Sequence, residues 1–286
     1  LPYCPRCATP LSNFEANQGY EEVQDPSVTL RFRDRDNPQL YYLAWTTTPW
    51  TLPSNLALAV GPAVEYVQVR DNGAEYVLAA DRVPVYYREE QPDIVARFKG
   101  RELVGRRYEP LFPYFTGLAD EGAFQIIAAD YVSTDEGTGI VHTAPGFGED
   151  DAASARRYDL PVVCPVDAEC RFTDEVEDYV GRPVKETDKD IAKRLKQEGK
   201  LIHQATYQHS YPHCWRCETP LIYRAVSTWF VHVEGIKDRM LAANEQIHWV
   251  PEHIREGRFG RWLENAHDWA ISRTRYWGCP LPVWRS

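Results

Sequence analysis

Two cysteine knuckles, CPRC at residues 4–7 and CWRC at residues 214–217, constrain everything that lies between them. Two residues between cysteines let both thiolates turn toward one tetrahedral ion. Each knuckle runs into Thr-Pro-Leu, as CATPL and CETPL, and each follows a tyrosine–proline pair. That pseudo-symmetry reads as two halves of one zinc ribbon, with Cys4, Cys7, Cys214 and Cys217 as ligands of a structural zinc. Four thiolates leave no open position for water, so a catalytic zinc is not expected. The alternative is two unrelated turns or redox pairs. If the metal is shared, about 200 residues are looped out of the ribbon as an insertion. Cys164, Cys170 and Cys279 have no partner at ligand spacing and read as ordinary buried or surface thiols. An odd, mostly close-paired set of seven cysteines suits a reducing, cytoplasmic compartment better than a disulfide framework.

The looped-out chain is strand-rich at first. VTLRF alternates, LYYLAW is a buried run, and YVQV, EYVLAA and VPVYY are further strand pieces. AFQIIAADYV and GTGIVHTAPG follow between prolines and glycines. Helices gather later. GEDDAASARRYDL has acids at its start and arginines near its end, as the helix dipole favours. In DKDIAKRLKQEGKLI, Asp188 can cap, Ile191 and Leu195 share a face, and Gly199 ends the helix. Two more helical segments, IKDRMLAANEQIHWV and PEHIREGRFGRWLENAHDWAIS, lie near the end of the chain. The expected fold is mixed α/β: a β-barrel-like domain with peripheral helices, inserted in the ribbon. Its expected parts are a first ribbon half and linker (1–24), the inserted domain (25–205), the second ribbon half (206–224) and a helical segment (225–286).

The 286 residues carry a net charge of −10, which argues against sequence-independent nucleic-acid binding. A nucleic acid could still meet local patches. Arg194, Lys196, Lys200, Arg255, Arg258, Arg261, Arg273 and Arg275 are scattered candidates, and ordinary solvated faces explain each equally well. No apolar run is long enough for a membrane span, and no signal peptide precedes Leu1. The chain reads as an internal part of a longer protein.

WTTTPWT at residues 45–51 places four short hydroxyls between and beside two indoles at a strand end. Alone, this is turn chemistry: hydroxyls cap backbone groups and Pro49 stops the strand. GTGIVHTAPGFGEDD at residues 137–151 changes its meaning. Gly137 and Gly139 permit close approach of backbone to a ligand, yet the loop is neither a dinucleotide fingerprint nor a P-loop. His142 alone reads as a core histidine, and Asp150 and Asp151 as helix-start acids.

As a pair, WTTTPWTLPSNLALAV and GTGIVHTAPGFGEDD resemble the editing domain of the isoleucyl-tRNA synthetases. That domain is an insertion in the class I catalytic core, shared with the valyl and leucyl enzymes. YCPRC and YPHCWRC resemble the zinc ribbon at its base, and WAISRTRYWGCPLPVW the return to the catalytic core. Thr48 stands where the valyl and leucyl forms have arginine, and Phe147 where some members have histidine. Neither class I nucleotide signature, His-Ile-Gly-His or Lys-Met-Ser-Lys-Ser, is present, so ATP chemistry is expected of a parent protein and not of this chain.

The resemblance implies that Thr46, Thr47 and Thr48 line a hydrolytic pocket, with Trp50, Thr51, Gly137 and Gly139 binding substrate. It implies His142 as a steric gate and Asp151 as the carboxylate for the substrate's α-ammonium. His142 as general base is the rival role, since an imidazole has a suitable pKa. No Ser-His-Asp or Cys-His set is visible, so attack by water is expected rather than a covalent intermediate. The implied reaction is hydrolysis of mischarged Val-tRNA(Ile), with valyl-adenylate as a further substrate, by a monomer releasing valine. The alternatives are a valyl-type domain acting on Thr-tRNA(Val), or a non-enzymatic zinc-ribbon module that binds RNA.

Overall fold

The structure is a computed structural model and describes residues 1–88, 92–274, 278–280 and 282–284. Two short strands, β1 (Pro2–Cys4) and β2 (Thr9–Pro10), surround the first knuckle. Then follow β3 (Tyr20–Arg33), β4 (Leu40–Thr46), β5 (Ala57–Val60), β6 (Glu65–Asp71) and β7 (Ala74–Ala79). The strands β8 (Asp93–Lys99), β9 (Gln125–Ala128), β10 (Ile140–Thr143) and β11 (Leu201–Pro212) come next, and β12 (Ile222–Tyr223) returns to pair with β1. Residues Leu1–Ala225 form one compact unit and Val226–Ser286 another.

Nine strands, β3 to β11, make one mixed sheet. Its centre is β4. One edge of β4 pairs with β3, antiparallel from Val28–Thr46 to Arg33–Tyr41. The other edge is divided: its first half runs parallel to β7, and Trp45 bridges to Val141 of β10. A strand shared in this way forks the sheet and brings two segments about 90 residues apart in sequence side by side. The central strands are buried on both faces: Val28, Leu30 and Phe32 on one face of β3 and Ser27 and Thr29 on the other, with exposure returning at Arg33.

The strands β3 and β11 pair along almost their whole length, from Leu30–Leu201 to Tyr20–Pro212. They form the two-stranded connection between sheet and ribbon. The expected boundaries at 24/25 and 205/206 fall inside these continuous strands. VPVYY, expected as a strand, is the helix Val83–Tyr86. Pro84 sits in its first turn, where the missing N–H costs nothing, whereas in a ladder it would remove a bond.

The helix Glu149–Tyr158 lies on the sheet, where Ala155 and Leu160 pack with Ala57, Ala59 and Ile127. The helix Asp188–Gln197 buries Ile191, Ala192 and Leu195 and ends before Gly199 at φ +66°. Its N-cap is Thr187, not Asp188. Asp188 is the first helical residue, and its carboxylate serves another segment, described below. In the second unit, β13 (Phe230–Val231) pairs with β14 (Trp269–Ala270). There the helices Lys237–Glu245 and Arg258–Glu264 enclose Asn244, whose side chain accepts from Trp249 Nε1. No helix among the described residues is long and apolar enough to cross a membrane.

Candidate active site

The Trp45–Val141 bridge sets WTTTPWT beside GTGIVHT, and a cavity of about 260 Å³ opens between them. Thr46, Thr47, Thr48 and Thr51 line one side; Gly137, Gly139, His142 and Asp151 line the other. Trp50, expected to bind substrate, does not line it. The 3-10 turn Pro49–Ser54 carries this indole inward to 2% exposure, edge-on to Phe147 at 4.9 Å and 77°. Such pairs contribute about 0.5–1.5 kcal/mol beyond area burial. Trp50 therefore acts by fixing Phe147, which does line the cavity.

The threonines divide by their hydrogen bonds. Thr46 Oγ1 accepts from the Thr48 N–H (3.1 Å) and meets Thr48 Oγ1 (3.2 Å). Thr51 Oγ1 donates to the Thr48 carbonyl (2.8 Å). These are the turn bonds that short hydroxyls make anywhere. Among the described residues, the Thr47 hydroxyl has no protein partner, and it faces the cavity half-exposed. It is the one hydroxyl of the three left to a water or an ester.

Asn55 and Tyr108, which sequence reasoning missed, determine the state of His142. Tyr108 OH donates to Asn55 Oδ1 (2.7 Å), and Asn55 Nδ2 donates to the Ala57 carbonyl (2.9 Å). With the amide so oriented, its second N–H points at His142 Nδ1 (2.8 Å), which must be unprotonated. The proton is on Nε2, which donates to Thr51 Oγ1 (2.9 Å). Burial pushes the imidazole down to about 3, so it is neutral at any physiological pH. Both ring nitrogens are committed, and the ring offers the cavity a rigid, uncharged wall.

Asp151 sits in the first turn of the helix Glu149–Tyr158, and its Oδ2 accepts from the Ala144 N–H (2.8 Å). Burial raises its carboxyl to about 6; the Ala144 amide opposes that and the nearby Asp150 adds to it. Asp150 itself is exposed and does not line the cavity, so the structure separates the two neighbours. Gly148 was also missed: a Cβ there would meet Asp151 Cγ at 2.8 Å. Gly137 (φ +63°) and Gly139 (φ +76°) need to be glycine for reasons internal to the protein. Their Cβ positions are taken by Trp45 and by Ala79.

Asp188 holds the threonine turn from behind, accepting the Trp50 N–H on Oδ1 (2.8 Å). Burial raises its carboxyl to about 7, against the Trp50 amide and Lys185. Away from the cavity, the four sulfurs of Cys4, Cys7, Cys214 and Cys217 lie within 4.8 Å of one another. Cys217 Sγ is 3.5 Å from Cys4 Sγ and 3.6 Å from Cys7 Sγ. Ligands at ~2.3 Å from a tetrahedral zinc would stand ~3.8 Å apart, so this set can hold a metal. Of the scattered basic candidates, Arg194, Lys200 and Arg255 are neutralised in ion pairs, and Arg275 lies outside the described residues.

The family profile described as tRNA synthetases class I (I, L, M and V) matches residues 1–286. The isoleucine–tRNA ligase of Protochlamydia amoebophila is 57% identical over the whole chain, which spans 28% of that relative's length. The Treponema denticola isoleucine–tRNA ligase is 53% identical, with 100% of this chain and 29% of the relative covered. Among solved structures, the P. knowlesi cytosolic leucyl-tRNA synthetase editing domain is similar at TM-score 0.48 and 12% identity, covering 67% of this chain and 99% of that one.

Proposed function

Since the chain belongs to the class I tRNA synthetases of the isoleucyl, leucyl, methionyl and valyl group, we propose that it is the part of an isoleucine-specific enzyme that removes wrongly attached valine. The reading rests on one observation: a free hydroxyl (Thr47) and a half-buried carboxylate (Asp151) line one small cavity beside a neutral imidazole. A synthetic site that fits isoleucine cannot exclude valine. The isoleucine–valine pair is the established instance of that limit, about 1–3 kcal/mol per methylene. A second, smaller site is the physical remedy.

In this reading Asp151 takes the α-ammonium of the valyl ester by a charge-assisted bond, which fixes which end of the amino acid enters. Thr47 Oγ1 holds the attacking water. Water oxygen adds to the ester carbonyl, the carbon–oxygen bond to ribose breaks, and the ribose oxygen leaves with the proton. Valine and uncharged tRNA(Ile) are released. His142 acts as the size limit, and water attack is direct because the hydroxyl beside the imidazole, Thr51, meets it at the protonated Nε2, which cannot take its proton. The four thiolates hold a structural zinc that joins the ends of the insertion. The parent acts as a cytoplasmic monomer and supplies the ATP-dependent step.

Deacylation of Val-tRNA(Ile) and Ile-tRNA(Ile) by this chain tests the reading. The valyl ester should be cleaved at least ~10-fold faster, the discrimination one methylene can supply. Equal rates would sink the size limit, and preference for Thr-tRNA(Val) would reassign the domain to a valyl enzyme. For the metal, the expected result is one zinc per chain by elemental analysis, lost in Cys4→Ser together with a fall in thermal midpoint. A metal-free chain of unchanged midpoint would remove the ribbon assignment.

A further inference from the structure

Arg31 and Arg33 of β3 and Arg35 just beyond it are alternate residues and share one face. Backbone bonds set a second segment beside them: the Arg35 N–H donates to the Arg107 carbonyl (2.9 Å) and the Glu109 N–H to the Arg33 carbonyl (2.8 Å). Two openings lie here, of about 240 and 190 Å³, with Glu109 and Pro110 as a common wall. Neither shares a lining residue with the hydrolytic cavity. The larger has a floor of rings, where Tyr108 and Phe124 meet edge-on at 6.2 Å beside Ala123 and Pro110. Tyr108 OH is turned away to Asn55, so its ring offers this opening only carbon. Phe124 stands at φ +62°, a left-handed conformation that bulky side chains rarely adopt. Its N–H on the Leu56 carbonyl (2.6 Å) and its carbonyl on the Tyr108 N–H (3.0 Å) hold it there. Such outliers gather at ligand sites.

The smaller opening is cationic. The Arg31 guanidinium lies over the Tyr41 ring at 4.8 Å, and that of Arg33 at 5.7 Å. Stacking uses the face of a guanidinium and leaves its N–H edge for an anion. Lys200 is committed to Glu198 (2.6 Å), and Arg33 and Glu109 form a loose, exposed pair at 3.8 Å. Arg31 meets Tyr76 OH (3.4 Å), and Arg107 donates to the Ala119 carbonyl (3.1 Å). Among the described residues Arg31, Arg35 and Arg107 have no carboxylate partner in an ion pair. Hydroxyls and carbonyls orient a guanidinium without neutralising it. In a chain of net charge −10, such a group of cations around one wall marks a site for an anion. A ring pocket beside an anion pocket, with the Glu109 carboxylate between them to take ribose hydroxyls, has the parts of a nucleotide site.

We propose that these paired openings bind a free nucleoside monophosphate, its base against Tyr108 and Phe124, its ribose hydroxyls at Glu109 and its phosphate at Arg31. Arg35 and Arg107, which line the ring pocket, supply planar groups to cover the base. The two volumes together suit one small molecule, near the lower end of the ~300–1,000 Å³ that such sites span. That favours a mononucleotide over a strand. The assignment does not depend on the editing reading, because the site lies outside the hydrolytic cavity.

Calorimetric titration of the chain with AMP, adenosine and inorganic phosphate tests this. AMP should bind at least ~10-fold more tightly than either of the others, the gain from one charge-assisted hydrogen bond. Arg31→Gln should bring AMP to the adenosine level and leave adenosine binding unchanged. Ala119→Phe, on the half-exposed turn Thr116–Glu121, fills the ring pocket and should abolish binding of both. Arg31 and Ala119 are not fully buried, so the thermal midpoint should stay at the wild-type value in both variants and separates lost binding from lost fold. AMP binding no tighter than adenosine or phosphate overturns the proposal. So does AMP binding that survives both substitutions, which would place the nucleotide elsewhere, the hydrolytic cavity included. Hexa-adenylate binding more tightly than AMP, by a margin that Arg31→Gln removes, would make this face a strand surface and overturn the mononucleotide assignment.

Discussion

Asparagine at position 151 is expected to lower kcat/KM for Val-tRNA(Ile) by ~10- to 100-fold, the loss of one charge-assisted hydrogen bond worth about 1.5–3 kcal/mol. The swap keeps the acceptor for the Ala144 N–H and the space against Gly148, so the helix start should survive. What it removes is the negative charge. The same charge gives the wild type a pH signature. Burial raises the Asp151 carboxyl to about 6. Above that pH the group is ionised and can pair with the ammonium; below it the group is protonated and cannot. As kcat/KM reports the free enzyme, it should fall as pH drops through about 6. Asp151→Asn should lack this acid limb. An ester of 2-hydroxyisovalerate, which has no ammonium, should be cleaved slowly by both proteins with little difference between them. A full effect of the substitution on that ester would assign Asp151 another role.

The pairing of the two motifs was legible because each carries unusual residues, and Thr46, Thr47, Thr48, His142 and Asp151 do line one cavity. What the sequence hid lies in groups that act through others. Asn55 and Tyr108 decide the tautomer of His142 through hydrogen bonds spanning 87 and 53 residues, which no local pattern records. Asp188 was visible as an acid at a helix start, and its actual partner, the Trp50 amide, is 138 residues away. The strand β11 was hidden for a different reason. LIHQATYQHSYP is exposed along most of its length, so it lacks the apolar alternation that betrays strands. It is held by its ladder with β3, and ladder partners leave no trace in a single sequence. Trp50 illustrates the converse. Its motif placed it at the site, but only the direction of the turn shows that it supports Phe147 from behind.

Alanine at position 142 distinguishes a wall from a base. A general base needs a free lone pair toward the water and a pKa near the working pH. His142 has neither: Nδ1 accepts from Asn55, Nε2 donates to Thr51, and burial pushes the ring down to about 3. Its removal should therefore enlarge the cavity beside the amino-acid side chain while leaving the water, Thr47 and Asp151 in place. The expected result is that Val-tRNA(Ile) cleavage stays within ~10-fold of wild type and Ile-tRNA(Ile) cleavage rises by ~10-fold or more, the clash of one methylene having been relieved. The substitution also strands one Asn55 N–H, costing about 1–3 kcal/mol if no water reaches it, while the Thr51 hydroxyl keeps its bond to the Thr48 carbonyl. His142→Asn, which is smaller yet keeps a donor and an acceptor, guards against reading unfolding as loss of catalysis. Loss of cleavage of both esters in a folded variant would restore His142 as the base. Continued refusal of the isoleucyl ester would mean that another wall, with Phe147 and Ile140 the nearest candidates in the lining, sets the limit.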